Sequence, residues 1–189
     1  LSRTLCSGAV RRGCTLTPQN AALLVQQCGE DMLLLTNELD KLAALADGGE
    51  ITAEMIRTAA TKNLEARVFD LSKALLRHRR DEAFGILDTL LQQREEPVGI
   101  LAVLTNSYVD MYRMKVAQAG GRSAAEVAAA FPAYKGKEFR LRYAAQDAAT
   151  LSVEQLRRAL AVLADADTAL KSSGTQARFV LETTLTKLL

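Results

Sequence analysis

The chain has 189 residues, 49% of them hydrophobic and 24% charged, with a formal net charge of +2. That balance supplies a globular core with a solvated surface, and it excludes a disordered chain and a strongly basic nucleic-acid coat. Three prolines, eleven glycines and no tryptophan, with alanine and leucine dominant, leave few helix breakers and point to an all-α fold.

The three cysteines, Cys6, Cys14 and Cys28, are odd in number and show no CxxC spacing, and the single histidine, His78, lies far along the chain from them. Neither a disulfide framework nor a zinc site is expected, and reduced thiols in a cytoplasmic protein fit the pattern. The longest apolar run, Val98 to Leu104, ends at Thr105-Asn106-Ser107. It is far short of the roughly 20 residues that a membrane span needs. The chain starts at Leu1, not at methionine, so it reads as a piece of something longer.

In chain order, residues 1–13 carry Arg3, Arg11 and Arg12 and no acid, and Gly13 is expected to stop a short helix. Thr17-Pro18 forms a helix start, with threonine as cap and proline at the first helical position. That helix should run to Cys28 and end at Gly29. The stripe Met32, Leu35, Leu39, Leu42 and Ala46 defines the apolar face of the next helix, leaving Asn37, Glu38, Asp40 and Lys41 on its other sides. Gly48-Gly49 ends it, and Ile51-Thr52 leads into a short helix through Ala60.

The stretch Thr61 to Arg67 is polar and lacks an apolar stripe, which marks a domain boundary. Beyond it a helix is expected over about 67–78, and the next buries Ala83, Phe84, Leu87, Leu90 and Leu91. Glu96-Pro97 opens a longer helix to about Gln118, broken by Gly120-Gly121. Ser123-x-x-Glu126 and Ser152-x-x-Gln155 match the capping box. The second box opens a helix with the stripe Val153, Leu156, Leu160, Leu163, Asp167 and Leu170, and the final helix presents Leu181, Leu185 and Leu188.

Chemistry-bearing constellations are sparse. No GxxxxGK[ST] loop exists, and Lys171-Ser172-Ser173-Gly174 has the residues of a phosphate loop in the wrong order with no strand before it. His78 sits in Arg77-His78-Arg79-Arg80, a poor setting for a general base and a natural one for a cationic helix end. No nucleophile, base, metal ligand set or cofactor motif emerges, so no catalytic activity is expected.

Two features break their local patterns. Asp167 falls on the apolar stripe of its helix, with Lys171 four residues on in the favourable acid-first order. The two form an expected structural pair at a helix–helix interface, or a contact to a neighbouring subunit. The segment Tyr134 to Tyr143 holds four cations, Lys135, Lys137, Arg140 and Arg142, one acid, and three aromatics. Such interleaving can track a nucleic-acid backbone and stack on bases, or it can be a solvated helix face anchored by its rings.

Several short motifs, in order, resemble one family. Gly29-Glu30-Asp31-Met32 followed by Asn37-Glu38-Leu39-Asp40-Lys41-Leu42 is similar to a signature of DNA polymerase III delta subunits. Ile51-Thr52 through Ile56 resembles the segment that follows it. Val68-Phe69-Asp70-Leu71 with Ala74-Leu75, then Ala83, Leu87 and Leu90-Leu91 before Glu95-Glu96-Pro97, resembles the next block, as does Ala166-Asp167 through Lys171. The resemblance covers about residues 10–189.

It implies a small helical AAA+ lid domain over 1–66 and a helical-bundle collar, an oligomerisation domain, over 67–189. It also implies a non-catalytic clamp-loader role in bacterial replication. The implied partners are the gamma/tau and delta-prime subunits, the sliding clamp through an N-terminal domain not present here, and primed DNA in the assembled complex. The alternatives are the lid and collar of a gamma/tau or delta-prime subunit, and a helical DNA-binding regulator using residues 134–143.

Overall fold

The computed structural model describes residues 1–134, 138–172 and 176–189. Every regular element among them is helical, and the one β-type pairing is an isolated parallel bridge between Thr15 and Glu50. The chain divides into two compact units, Leu1–Arg67 and Val68–Leu189.

The first unit contains α1 (Ser2–Arg11), α2 (Pro18–Cys28), α3 (Met32–Ala46) and α4 (Ala53–Ala59). Local chemistry sets most of their ends. Thr17 Oγ1 accepts from the Asn20 amide at 3.1 Å, and Thr52 Oγ1 accepts from the Met55 amide at 3.2 Å. The Asp31 carboxylate, a cap not foreseen from the sequence, accepts from the amides of Leu33 and Leu34 at 2.8 and 3.0 Å. Each such cap satisfies donors that the first helical turn leaves free.

Leu5, Leu24, Leu35, Leu39, Leu42, Ile51 and Ile56 are almost wholly buried and build the core of this unit. Each contributes roughly 2 kcal/mol by leaving water. Gly8 lets α1 approach α3: a Cβ there would stand 2.9 Å from Leu39 Cδ2. Arg12 at the end of α1 pairs with Asp40 of α3 at 2.5 Å and donates to the Gly8 carbonyl at 3.0 Å. The arginine hydrogen bond holds the Asp40 carboxyl below its ordinary pKa.

Two expectations for α3 are corrected. Met32 is 41% exposed, because it sits in the first turn, beyond the end of the core. Glu38, placed on a polar face by its charge, is only 6% exposed, with Thr61 bonded to both of its oxygens.

Helix α5 (Leu64–Leu76) carries the chain across the boundary between the units. It begins earlier than the expected residue 67 because Asn63 Oδ1 accepts the Ala66 amide at 2.8 Å and caps the first turn. It ends before His78, whose positive φ of 51° breaks the helix.

The second unit continues with α6 (Arg80–Gln92), α7 (Pro97–Ala119), α8 (Ala124–Ala130), a 3₁₀ turn (Pro132–Tyr134), α9 (Glu138–Asp147), α10 (Val153–Lys171) and α11 (Ala177–Leu188). Both capping boxes form in full at Ser123 and Ser152. Helix α7 is the axis of this unit: α10, α9, α8 and α11 all pack on it. Its buried side chains include Ile100, Leu101, Leu104, Tyr108, Met111 and Met114. Lys115 extends from α7 to donate to the carbonyls of Ala148 and Ala149 at 3.1 and 3.0 Å, just past the end of α9. A cation there meets the negative end of the helix dipole.

Candidate functional site

A buried polar cluster of the second unit is built on α7. Asp110 is its one acidic residue, and it is 5% exposed. A carboxylate so placed is costly unless both oxygens are engaged. Tyr134 Oη donates to Oδ1 at 2.5 Å, and Arg140 Nη2 donates to Oδ2 at 3.0 Å. Arg113, one turn along α7, donates from Nη1 to Tyr134 Oη at 2.6 Å. Its guanidinium lies 4.7 Å from the Phe131 ring centre and 5.7 Å from that of Tyr134. Burial and the bond to Asp110 push the Tyr134 phenol up, with Arg113 acting the other way.

Asp110 and Arg113 therefore fasten the 3₁₀ turn and α9 onto α7. Each oxygen of Asp110 already holds a donor from a neighbouring element. The arrangement is a clasp between helices.

The residues singled out from the sequence separate when placed in the fold. Lys135 and Lys137 lie outside the described residues. Arg140 is committed to Asp110, and Arg142 is exposed. Tyr143, 39% exposed, packs edge-on to Phe69 and Phe139 at 6.1 and 6.4 Å, and Lys73 Nζ stands 4.3 Å above the Phe69 ring. The cations of this segment thus have different roles, one inward and one outward among those described.

Asp167 and Lys171 form an ion pair at 2.5 Å, with side chains 46% and 64% exposed. The buried position at this point of α10 is Ala166. Asp167 stands on the rim of an open groove between α7 and α10, lined by Leu101, Thr105, Asn106, Leu160 and Leu163. Half-exposure removes most of the desolvation cost that its place on the stripe implied, and a pair in water adds little stability. Of the Lys171-Ser172-Ser173-Gly174 segment, Ser173 and Gly174 lie outside the described residues.

The first unit has its own buried carboxylate. Glu38 Oε2 accepts the Thr61 amide at 3.0 Å, Oε1 accepts the Thr61 hydroxyl at 2.8 Å, and Lys41 Nζ lies 2.7 Å from Oε2. Burial acts to raise its pKa, but Lys41 and the Thr61 donors outweigh burial and hold it below the ordinary value. Cys28 nearby is pushed up to about 11 by burial and by Glu38. All three cysteines are free.

Sequence reasoning missed Asp110 and the burial of Glu38. The signal for Asp110 was present as a lone acid in a 23-residue, largely apolar helix. Among the described residues no group of three or more His, Cys, Asp or Glu is placed to hold a metal ion, and no helix is long and apolar enough to cross a membrane.

Fold and site together define a class: a two-unit helical chain whose larger unit is a bundle knit around one long helix by a buried carboxylate clasp. Residues 65–188, more than half of the chain, match the model of the DNA polymerase III delta subunit, C-terminal domain, and the chain belongs to that family. It is similar to the DNA polymerase III subunit delta of Bacillus subtilis (strain 168), with 28% identity over 172 residues, covering 86% of this chain and 49% of that protein. The solved Bacillus subtilis DNA clamp loader delta protein has the same fold, with a TM-score of 0.77 and 26% identity over 99% of this chain and 55% of that one. The chain thus spans about half the length of the relatives it matches.

Proposed function

We propose that this chain is the lid and collar portion of a clamp-loader delta subunit, serving assembly and carrying out no catalysis of its own. The observation that carries the reading is the family match over 65–188, which falls almost entirely in the second compact unit. In this reading that unit is the collar, packing against the gamma/tau and delta-prime subunits. The first unit is the AAA+ lid, joining the collar to an ATPase-like domain beyond this chain. The complex then loads the sliding clamp on primed DNA in the cytoplasm. The clamp contact belongs to the further domain and to no residue here. The match to a delta model argues against a gamma/tau or delta-prime origin.

A bundle pinned internally by Asp110, Arg113 and Arg140 suits this role, since a collar must keep one shape while its outer helices meet neighbours. The test is native mass spectrometry of the chain mixed with gamma/tau and delta-prime of the same organism. One copy incorporated into a pentamer supports the reading. No association at micromolar concentration removes autonomous collar assembly by this chain.

A further inference from the structure

The polar stretch from Thr61 to Arg67, which marks a domain boundary in the sequence, has its first residues gripped from two sides. Gln27, 6% exposed, donates from Nε2 to the carbonyls of Ile56 and Ala60, both at 2.8 Å. Its own carbonyl accepts the Asn63 amide at 2.8 Å. Glu38 takes both the amide and the hydroxyl of Thr61, while Lys41 neutralises its charge. Asn63 then caps α5 through the Ala66 amide.

Gly29, at φ 91°, keeps the α2–α3 turn clear of Asn63: a Cβ there would lie 3.3 Å from Asn63 Nδ2 and would be strained at that φ. A buried amide and a buried carboxylate are both expensive unless satisfied, and here Gln27 is satisfied by the end of α4 and Glu38 by Thr61 and Lys41.

We infer that Gln27 and Glu38 make residues 60–63 an integral, cooperative part of the first unit and a fixed seat for the first turn of α5. Opening the segment would strip the buried Glu38 carboxylate of both Thr61 donors and the buried Gln27 amide of one of its two acceptors. The segment therefore opens only when the first unit does. The inference stands on the geometry of the first unit and does not depend on the clamp-loader reading.

Amide hydrogen exchange of the whole chain, with limited trypsinolysis beside it, decides the matter. The Thr61 and Asn63 amides are expected to exchange with the core amides of Leu39 and Leu42, at least about a hundredfold slower than an unfolded chain. Trypsin should leave the bond after Lys62 intact until the first unit unfolds. Exchange of Thr61 and Asn63 at near-unfolded rates in the native protein, or cleavage after Lys62 with the core still protected, overturns the inference. Glu38→Gln turns one acceptor into a donor facing Thr61, and is expected to speed exchange at residue 61 by about tenfold with α7 and α10 unchanged. Should that variant unfold the unit, Thr61→Val removes the hydroxyl contact alone and reads the same grip. No change at residues 61 and 63 in a folded variant of either kind also overturns it.

Discussion

Tyr134 donates its phenolic proton to Asp110, Oη to Oδ1 at 2.5 Å, and the two side chains are buried 24 residues apart in sequence. The pair closes the corner where the 3₁₀ turn meets α7, and Arg140 completes it from α9. Removing the Tyr134 hydroxyl leaves Asp110 Oδ1 without its donor, and removing Asp110 leaves Tyr134 and Arg140 without their acceptor. Tyr134→Phe is expected to destabilise the second unit by about 1–2 kcal/mol, and Asp110→Ala by about 3 kcal/mol, because the alanine variant strands both donors. The five Phe and four Tyr all lie beyond residue 67, and there is no Trp. Tyrosine fluorescence during urea unfolding therefore reports this unit alone.

Arg140 and Arg142 are two residues apart and differ in what they do. Arg140 engages Asp110 from a side chain 31% exposed, whereas Arg142 is exposed. Arg140→Ala is expected to lower the urea midpoint, so any loss of DNA affinity in that variant would be indirect. Arg142→Ala should leave the midpoint unchanged. If residues 134–143 touch DNA, the triple variant Lys135→Ala, Lys137→Ala, Arg142→Ala lowers the slope of log affinity against log salt by about 2–3. An unchanged slope removes the DNA reading of this segment.

Glu38 has its pKa held below 4.5 in the folded protein. A carboxyl depressed in this way contributes stability that is fully present above its unfolded pKa and is lost as pH falls through the folded value. The first unit is therefore expected to lose stability from about pH 4.5 downward. Glu38→Gln should be less stable than the parent at pH 7 and should lose less on acidification. Pyridyl disulfides react with thiols at acid pH, and Cys14 and Cys28 are buried in the first unit, so labelling of these two follows its opening directly.

Cys28 has a thiol pushed up to about 11 by burial and by the Glu38 charge, so at pH 8 about one thiol in a thousand is ionised. Cys6 is partly exposed, whereas Cys14 and Cys28 are buried. Native labelling at pH 8 is expected to modify Cys6 alone within minutes. Cys14 and Cys28 should follow only with unfolding, as mass spectrometry of the labelled peptides would show. Fast labelling of Cys28 in the folded chain would contradict its burial in the core of the first unit.

What the sequence determined by itself was whatever closes within one helical turn. Thr17, Ser123 and Ser152 bond to amides three residues away, and Gly13 and Gly29 take positive φ at their turns. These are short-range hydrogen bonds and dihedral preferences, so the residues carrying them identify them. Much of the apolar stripes of α3 and α6 was legible for the same reason: Leu35, Leu39 and Leu42, and Ala83, Leu87 and Leu90, are buried, because helical periodicity alone says which face faces inward. The all-helical class followed, and the ordered motifs pointed to the delta family.

Tertiary structure decided the fate of the charges. Glu38 finds Thr61 23 residues away, and Asp110 finds Tyr134 and Arg140 at 24 and 30 residues. Read locally, Glu38 looks like a solvent-facing acid, Asp110 passes unnoticed inside α7, and Arg140 looks like a free cation. Asp167 reads as a buried charge, yet it stands half in water. A charge can be buried only where distant donors replace its water, and one helix's periodicity carries no record of those donors. The fold alone brings them together.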